Sequence, residues 1–185
     1  ITVVTAAGNL GKTPDGRAVV AGIVSPGNAP SAITVGATNA KGTAARSDDV
    51  MATYSSRGPT HIDRIVKPDL VAPGNKVQSL AAPFSKLTRD YPALVSGSGL
   101  WRTLTLSGTS QSAAVVAGAA ALLLEANPAL KPAQVKFALQ VTAGRLAGAG
   151  VIEQGAGELN VASAVLLANG RALPSLPTTT IAGET

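Results

Sequence analysis

A chain of 185 residues with 45% hydrophobic and 14% charged residues is long and apolar enough to bury one sizeable core, which excludes disorder for most of its length. It has no cysteine, so neither a disulfide framework nor a thiolate metal site can form, and that count leaves the compartment open. The net charge of +5 comes from lysines and arginines scattered singly and only 3% of residues are aromatic, so the basicity serves solubility and no nucleic-acid partner is expected.

In chain order, Ile1-Thr2-Val3-Val4-Thr5-Ala6-Ala7 predicts a buried strand that delivers Gly8-Asn9 to its carboxyl end, where α/β sheets place their ligands. Short strands rich in Val, Ile and Thr then alternate with Gly/Pro turns. Asp48-Asp49 reads as a charged loop, because no further oxygen ligands lie near it in the sequence, and no metal is assigned there. Residues 81–99, with Pro83, Pro92 and Ser96-Gly97-Ser98-Gly99, read as a long decorated loop. Helices are predicted over Thr109–Ala126, about Pro132–Val141, and 161–167, with Pro128 stopping the first and Pro132 opening the second.

The fold class that follows is α/β. The apolar run 113–124 is shorter than the ~20 residues needed to span a bilayer, so it predicts a core helix buried all round and no membrane anchor. Residues 1–170 form one domain, and 171–185, with Pro174, Pro177 and three consecutive threonines, read as a linker or tail.

Two places carry chemistry. Gly108-Thr109-Ser110 sets a serine hydroxyl where an extended segment gives way to a buried helix, whose free N–H groups and positive dipole end stabilise an oxyanion. Asn9 offers amide N–H donors of the kind that lower an acyl-transfer barrier. Ser110-Gln111-Ser112 lacks the glycine of a nucleophile elbow and no serine has a lysine three residues on, which removes two rival serine chemistries. Gly155-Ala156-Gly157-Glu158-Leu159-Asn160 only half-resembles a dinucleotide fingerprint and reads as a turn before the last helix.

Five blocks together resemble the subtilisin-like serine proteases, or subtilases. They are Val4-Thr5-Ala6-Ala7-Gly8-Asn9; Ser25-Pro26-Gly27-Asn28-Ala29-Pro30 leading into Ala32-Ile33-Thr34-Val35-Gly36-Ala37; Tyr54-Ser55-Ser56-Arg57-Gly58-Pro59; Lys67-Pro68-Asp69-Leu70-Val71-Ala72-Pro73-Gly74; and Leu106-Ser107-Gly108-Thr109-Ser110 with its alanine-rich helix. The resemblance implies that Ser110 is the acylated nucleophile and Asn9 the oxyanion-hole side chain. It also implies that Ala6, Ala7, Gly8 and Thr109 are substrate-binding positions, with the residue near Val24 at the base of the specificity pocket.

The family's catalytic Asp and His motifs precede the Asn block, and neither occurs in these residues. The expectation is therefore the C-terminal two-thirds of a catalytic domain, a partial parallel-sheet sandwich of the subtilisin-like fold without its N-terminal part. The start at an isoleucine in mid-strand, with no initiator Met and no signal peptide, agrees with that expectation. The expected partners are a peptide or protein substrate and the missing portion of the same domain, or a second copy through an exposed sheet edge. The localisation implied is secreted or cell-envelope.

No cofactor is required. The resemblance allows calcium, with the turn at residues 26–31 similar to a place where backbone carbonyls hold a weak cation. Two departures from the family pattern follow the nucleophile: Gln111 where Met is common, and Ala114 where Pro is usual. His61 is the only imidazole, and a self-contained triad would need it as base, oriented by Asp63 or Asp69. Its polar setting reads instead as a solvated surface loop. The alternative to a protease part is a non-catalytic binding module that keeps this half of the fold.

Overall fold

The computed structural model describes residues 1–171, so the tail expected over 171–185 lies almost wholly outside the described residues. The main sheet contains β1 (Val4–Ala6), β2 (Ile33–Asn39), β3 (Val50–Met51) and β4 (Leu70–Pro73). β2 is its centre. It runs parallel to β1, with Val4 opposite Ile33, and parallel to β4 on its other edge, with Val35 opposite Leu70. β3 pairs antiparallel to the end of β2, so the sheet expected to be parallel is mixed. The expected first strand pairs only over Val4–Ala6, although its ladder continues from Ile33 N–H to Val3 O at 2.9 Å and from Ala7 N–H to Val35 O at 2.9 Å. Among the described residues no strand covers the outer edge of β1.

Alternation in β2 sorts its two faces. Ile33 and Val35 join Leu70 and Ala72 on the side covered by helices, while Gly36 packs against Ser55, Val71 and Pro68 on the other. The helical layer is α2 (Thr109–Ala126), α3 (Pro132–Val141) and α5 (Val161–Ala168), whose Val116, Leu123, Val135, Leu139 and Ala164 are fully or almost fully buried on the sheet. A short α4 (Val151–Gln154), not foreseen from the sequence, precedes α5. Gln154 closes its loop by accepting Leu146 N–H at 2.7 Å and donating to Ala149 O at 2.6 Å.

Two expectations need correcting. α2 is not buried all round: Thr109, Ser112, Val116, Ala119, Ala120 and Leu123 form the buried stripe, while Ala114, Ala117, Gly118, Ala121 and Leu122 face outward. By length and composition α2 could cross a membrane, but its buried stripe is committed to this sheet. The excursion at residues 81–99 is not plain loop either. It carries α1 (Lys86–Asp90) and β6 (Val95–Ser96), and β6 pairs with β7 (Thr103–Leu106), which also pairs with β5 (Val77–Leu80). Ser85 caps α1 by accepting Thr88 N–H at 3.2 Å, and Lys86 pairs with Asp90 one turn on.

Candidate active site

Gly8 turns the chain out of β1 at φ +108°. A Cβ there would stand 2.8 Å from Val24 Cγ2 and 2.9 Å from Ser56 Oγ, so only glycine fits both the angle and the space. The following loop is pinned by backbone bonds from the segment after β3. Ser56 N–H donates to Gly8 O at 2.9 Å, Leu10 N–H donates to Ser56 Oγ at 3.0 Å, and Gly11 N–H donates to Tyr54 O at 2.9 Å. Arg57 Nη1 donates to Gly11 O at 2.7 Å while its Nε pairs with Glu153 at 2.8 Å.

Asn9 and the start of α2 converge on the same spot. Thr109 N–H and Thr109 Oγ1 both donate to Asn9 Oδ1 at 3.0 Å, and Thr109 Oγ1 accepts Gly8 N–H at 3.2 Å. A backbone N–H can only donate, so the Asn9 atom facing it must be the carbonyl oxygen, and the amide Nδ2 is turned the other way. Nδ2 would lie 3.4 Å from a Cβ at Gly108, the residue that precedes α2.

Ser110, the second residue of α2, is exposed, and among the described residues its hydroxyl has no hydrogen-bond partner. Its own N–H belongs to the first helical turn, where no carbonyl lies one turn back to accept it. Ala6 and Ala7 lie on the sheet side of this arrangement. Val24 N–H donates to Ala7 O at 3.1 Å, which seats Val24 against Gly8.

A cavity of about 530 Å³ opens beside Ser110. Its walls include Leu80, Leu87, Leu104, Leu106, Gln111 and Val115, and none of its lining side chains titrates. His61 does not fill the gap. It is exposed in the turn closed by Ile65 N–H on Thr60 Oγ1 at 2.8 Å, and neither proposed orienting carboxylate is free. Asp63 accepts the Thr60 hydroxyl. Asp69 accepts Lys67 Nζ at 2.7 Å, Lys136 Nζ at 2.9 Å and Thr34 N–H at 2.7 Å.

Carbonyls in and next to the turn at residues 26–31 accept bonds from side chains of the protein. The carbonyls of Pro30 and Ala32 accept Lys136 Nζ at 2.9 Å, Ala32 O also accepts Lys67 Nζ at 3.0 Å, and Gly27 O accepts the Thr34 hydroxyl at 2.7 Å. Two ammonium groups around one carboxylate leave the site positive. Lys67 is 1% exposed, and burial pushes its pKa down despite the Asp69 contact.

Asp48-Asp49 is a charged loop only in its first member. Asp48 is half-buried and accepts Thr43 Oγ1 at 2.9 Å. Asp49 is buried beside Glu158, and its Oδ1 has no partner. Glu158 accepts the Thr38 hydroxyl at 2.6 Å and Arg46 Nη2 at 3.3 Å, and burial followed by the nearby Asp49 carboxylate outweighs them and holds its pKa above the ordinary 4.5. The sequence reading missed this pair because its members lie far apart in the chain and no local spacing signals them.

The structure thus brings an exposed hydroxyl at a helix N-terminus together with a carboxamide oriented by that same helix, on an α/β fold. Comparison with known proteins gives the family. The model of the subtilase family matches residues 1–162, and the chain belongs to that family. It is 42% identical over 140 residues to the serine protease AprX of Bacillus subtilis (strain 168), covering 76% of this chain and 29% of AprX. It is 43% identical over 94 residues to the subtilisin-like protease SBT1.9 of Arabidopsis thaliana, covering 49% of this chain and 12% of the relative. Among solved structures, the self-cleaved protease domain of PatA superposes with a TM-score of 0.63 at 27% identity, covering 94% of this chain and 52% of that one. The chain thus spans about half of the solved protease domain and less than a third of these curated relatives.

Proposed function

We propose that this chain is the nucleophile-bearing part of a serine endopeptidase, with Ser110 as the acylated residue and Asn9 as the side-chain oxyanion donor. The observation that carries this reading is the capture of Asn9 Oδ1 by two Thr109 donors, which turns Nδ2 toward Gly108, two residues before the exposed Ser110. In the reaction, a base takes the Ser110 hydroxyl proton as Oγ attacks the peptide carbonyl carbon. The oxyanion that forms is held by Asn9 Nδ2 and the Ser110 N–H. Collapse expels the amine, which takes the proton from the base, and water then hydrolyses the acyl ester in the same way. Ala6, Ala7, Gly8 and Val24 make one wall and the floor of the substrate pocket in this reading, and Thr109 sets the donor.

The base comes from outside these residues, since the cavity beside Ser110 has no titratable lining and His61 lies in a separate turn. The outward stripe of small residues on α2, Ala114, Ala117, Gly118 and Ala121, continues from that cavity and suits close packing by the portion of the domain that brings the base.

A fluorophosphonate probe tests the assignment. Ser110 is expected to react when the remainder of the catalytic domain is present and to stay unlabelled in the isolated chain. Labelling of the isolated chain would point back to His61, and no labelling in the whole domain would favour a non-catalytic binding module.

A further inference from the structure

Tyr54 touches both loops of the site. Its main-chain carbonyl accepts Gly11 N–H at 2.9 Å, two residues beyond Asn9. Its hydroxyl crosses to the other loop and donates to Gly74 O at 2.9 Å. That same carbonyl accepts Gly108 N–H at 2.9 Å, so both of its lone pairs are used, one by Tyr54 and one by the residue that launches α2.

Gly74 is closely surrounded, with no space for a side chain. A Cβ there would overlap Ser112 Oγ at 2.1 Å and crowd Gly108 O at 2.8 Å, and its N–H is held by Thr38 O at 3.0 Å. Ser112 Oγ in turn donates to Ala72 O at 2.9 Å, fixing the first turn of α2 to the end of β4. The phenol is half-buried, and burial raises its pKa, offset in part by the neighbouring Gly108 N–H, so it stays a neutral donor at physiological pH. Besides the direct bonds from Thr109 to Asn9 Oδ1, the two loops are therefore joined by a second short bridge: Asn9 loop, Tyr54, Gly74, Gly108.

We propose that the Tyr54 hydroxyl is a positioning residue for acyl transfer, holding Gly108 and hence Ser110 in register with the Asn9 carboxamide. The proposal rests on the protease reading above. Acyl transfer is steep in geometry, because an error of a fraction of an ångström between nucleophile and oxyanion donors is felt in the transition state and hardly in substrate binding. Removing the phenol takes away one of the two bonds at Gly74 O and leaves the Gly108 N–H bond, so the fold is expected to survive while Gly74 and Gly108 gain freedom to move.

The test is Tyr54→Phe in the whole protease, with kcat corrected for active sites by fluorophosphonate titration. The expected result is a fall in kcat of about three- to tenfold with KM and thermal midpoint unchanged. Faster amide hydrogen exchange is expected at Gly108, but not at Ala7 in the sheet. An unchanged kcat overturns the proposal, as does a loss of thermal midpoint that accounts for all of the change. A wild-type enzyme in which Ser110 is never labelled defeats the protease reading instead; the Tyr54 anchor is then judged on Gly108 exchange alone, and unchanged exchange overturns it.

Discussion

At the scale of single residues, the site is decided by which atom of Asn9 faces Thr109. The side chain is an ambiguous donor and acceptor in isolation, and the Thr109 N–H removes the ambiguity because it cannot accept. Asn9→Ala in the whole protease is expected to lower kcat by about a hundred- to a thousandfold with KM little changed, a magnitude that comes from subtilisin itself. Steady-state kinetics on a peptide substrate checks it, and a loss smaller than about tenfold removes Asn9 from the oxyanion hole. The five quoted blocks contained every residue of this arrangement, Tyr54, Gly74, Gly108 and Ser110 included. The bonds among them were not legible, since the Tyr54 hydroxyl meets Gly74 only after β2 and β4 have paired.

At the scale of elements, α2 is the piece whose behaviour departs most from its sequence. Its composition is apolar on every side, which argues for burial on every side. The structure buries the Val116, Ala119, Leu123 stripe and leaves Ala117 and Gly118 outward, with nothing within 4 Å of a Cβ at Gly118. Both observations agree if a further helix or loop of the same domain packs on that face. Ala117→Trp should leave the helical circular dichroism of the chain intact and suppress Ser110 labelling in the whole domain by at least about tenfold, by filling the space the partner element needs. Undiminished labelling would mean that the face stays open in the working enzyme. The uncovered edge of β1 makes the same argument in backbone terms, as its outer N–H and C=O groups have no strand partner among the described residues.

At the scale of the whole molecule, two buried charge clusters staple distant parts of the chain. In the first, Glu158 lies beside Asp49 and is bonded by Thr38 and Arg46, which ties β2 and the segment before β3 to the approach to α5. Because the folded pKa of Glu158 lies above its unfolded value, the native state binds more protons between the two, so the stability linked to Glu158 is complete below about pH 4.5 and is lost as pH rises through the folded pKa. Thermal midpoints taken from pH 4.5 to 8 should therefore fall more steeply for the wild type than for Glu158→Gln; parallel profiles would show that the pair does not titrate in this way. The second cluster, Lys67, Asp69 and Lys136, joins β4, the turn at residues 26–31 and α3. Since its ammonium groups take the carbonyls a cation would need, a chelator should not change the thermal midpoint, and a rise on adding millimolar calcium would show a site elsewhere in the chain.

The chain's own residues determined its family, its α/β class and the placement of α2, α3 and α5, because each rests on local pattern: apolar periodicity, proline and glycine at element ends, and short motifs in a set order. Tertiary structure alone decided that the sheet is mixed, that α2 shows one face to solvent, that Lys67 and Lys136 converge on Asp69 and the Ala32 carbonyl, and that Asp49 is buried against Glu158. These are contacts between residues far apart in the chain, and such contacts depend on how strands pair and helices pack, which no local pattern encodes.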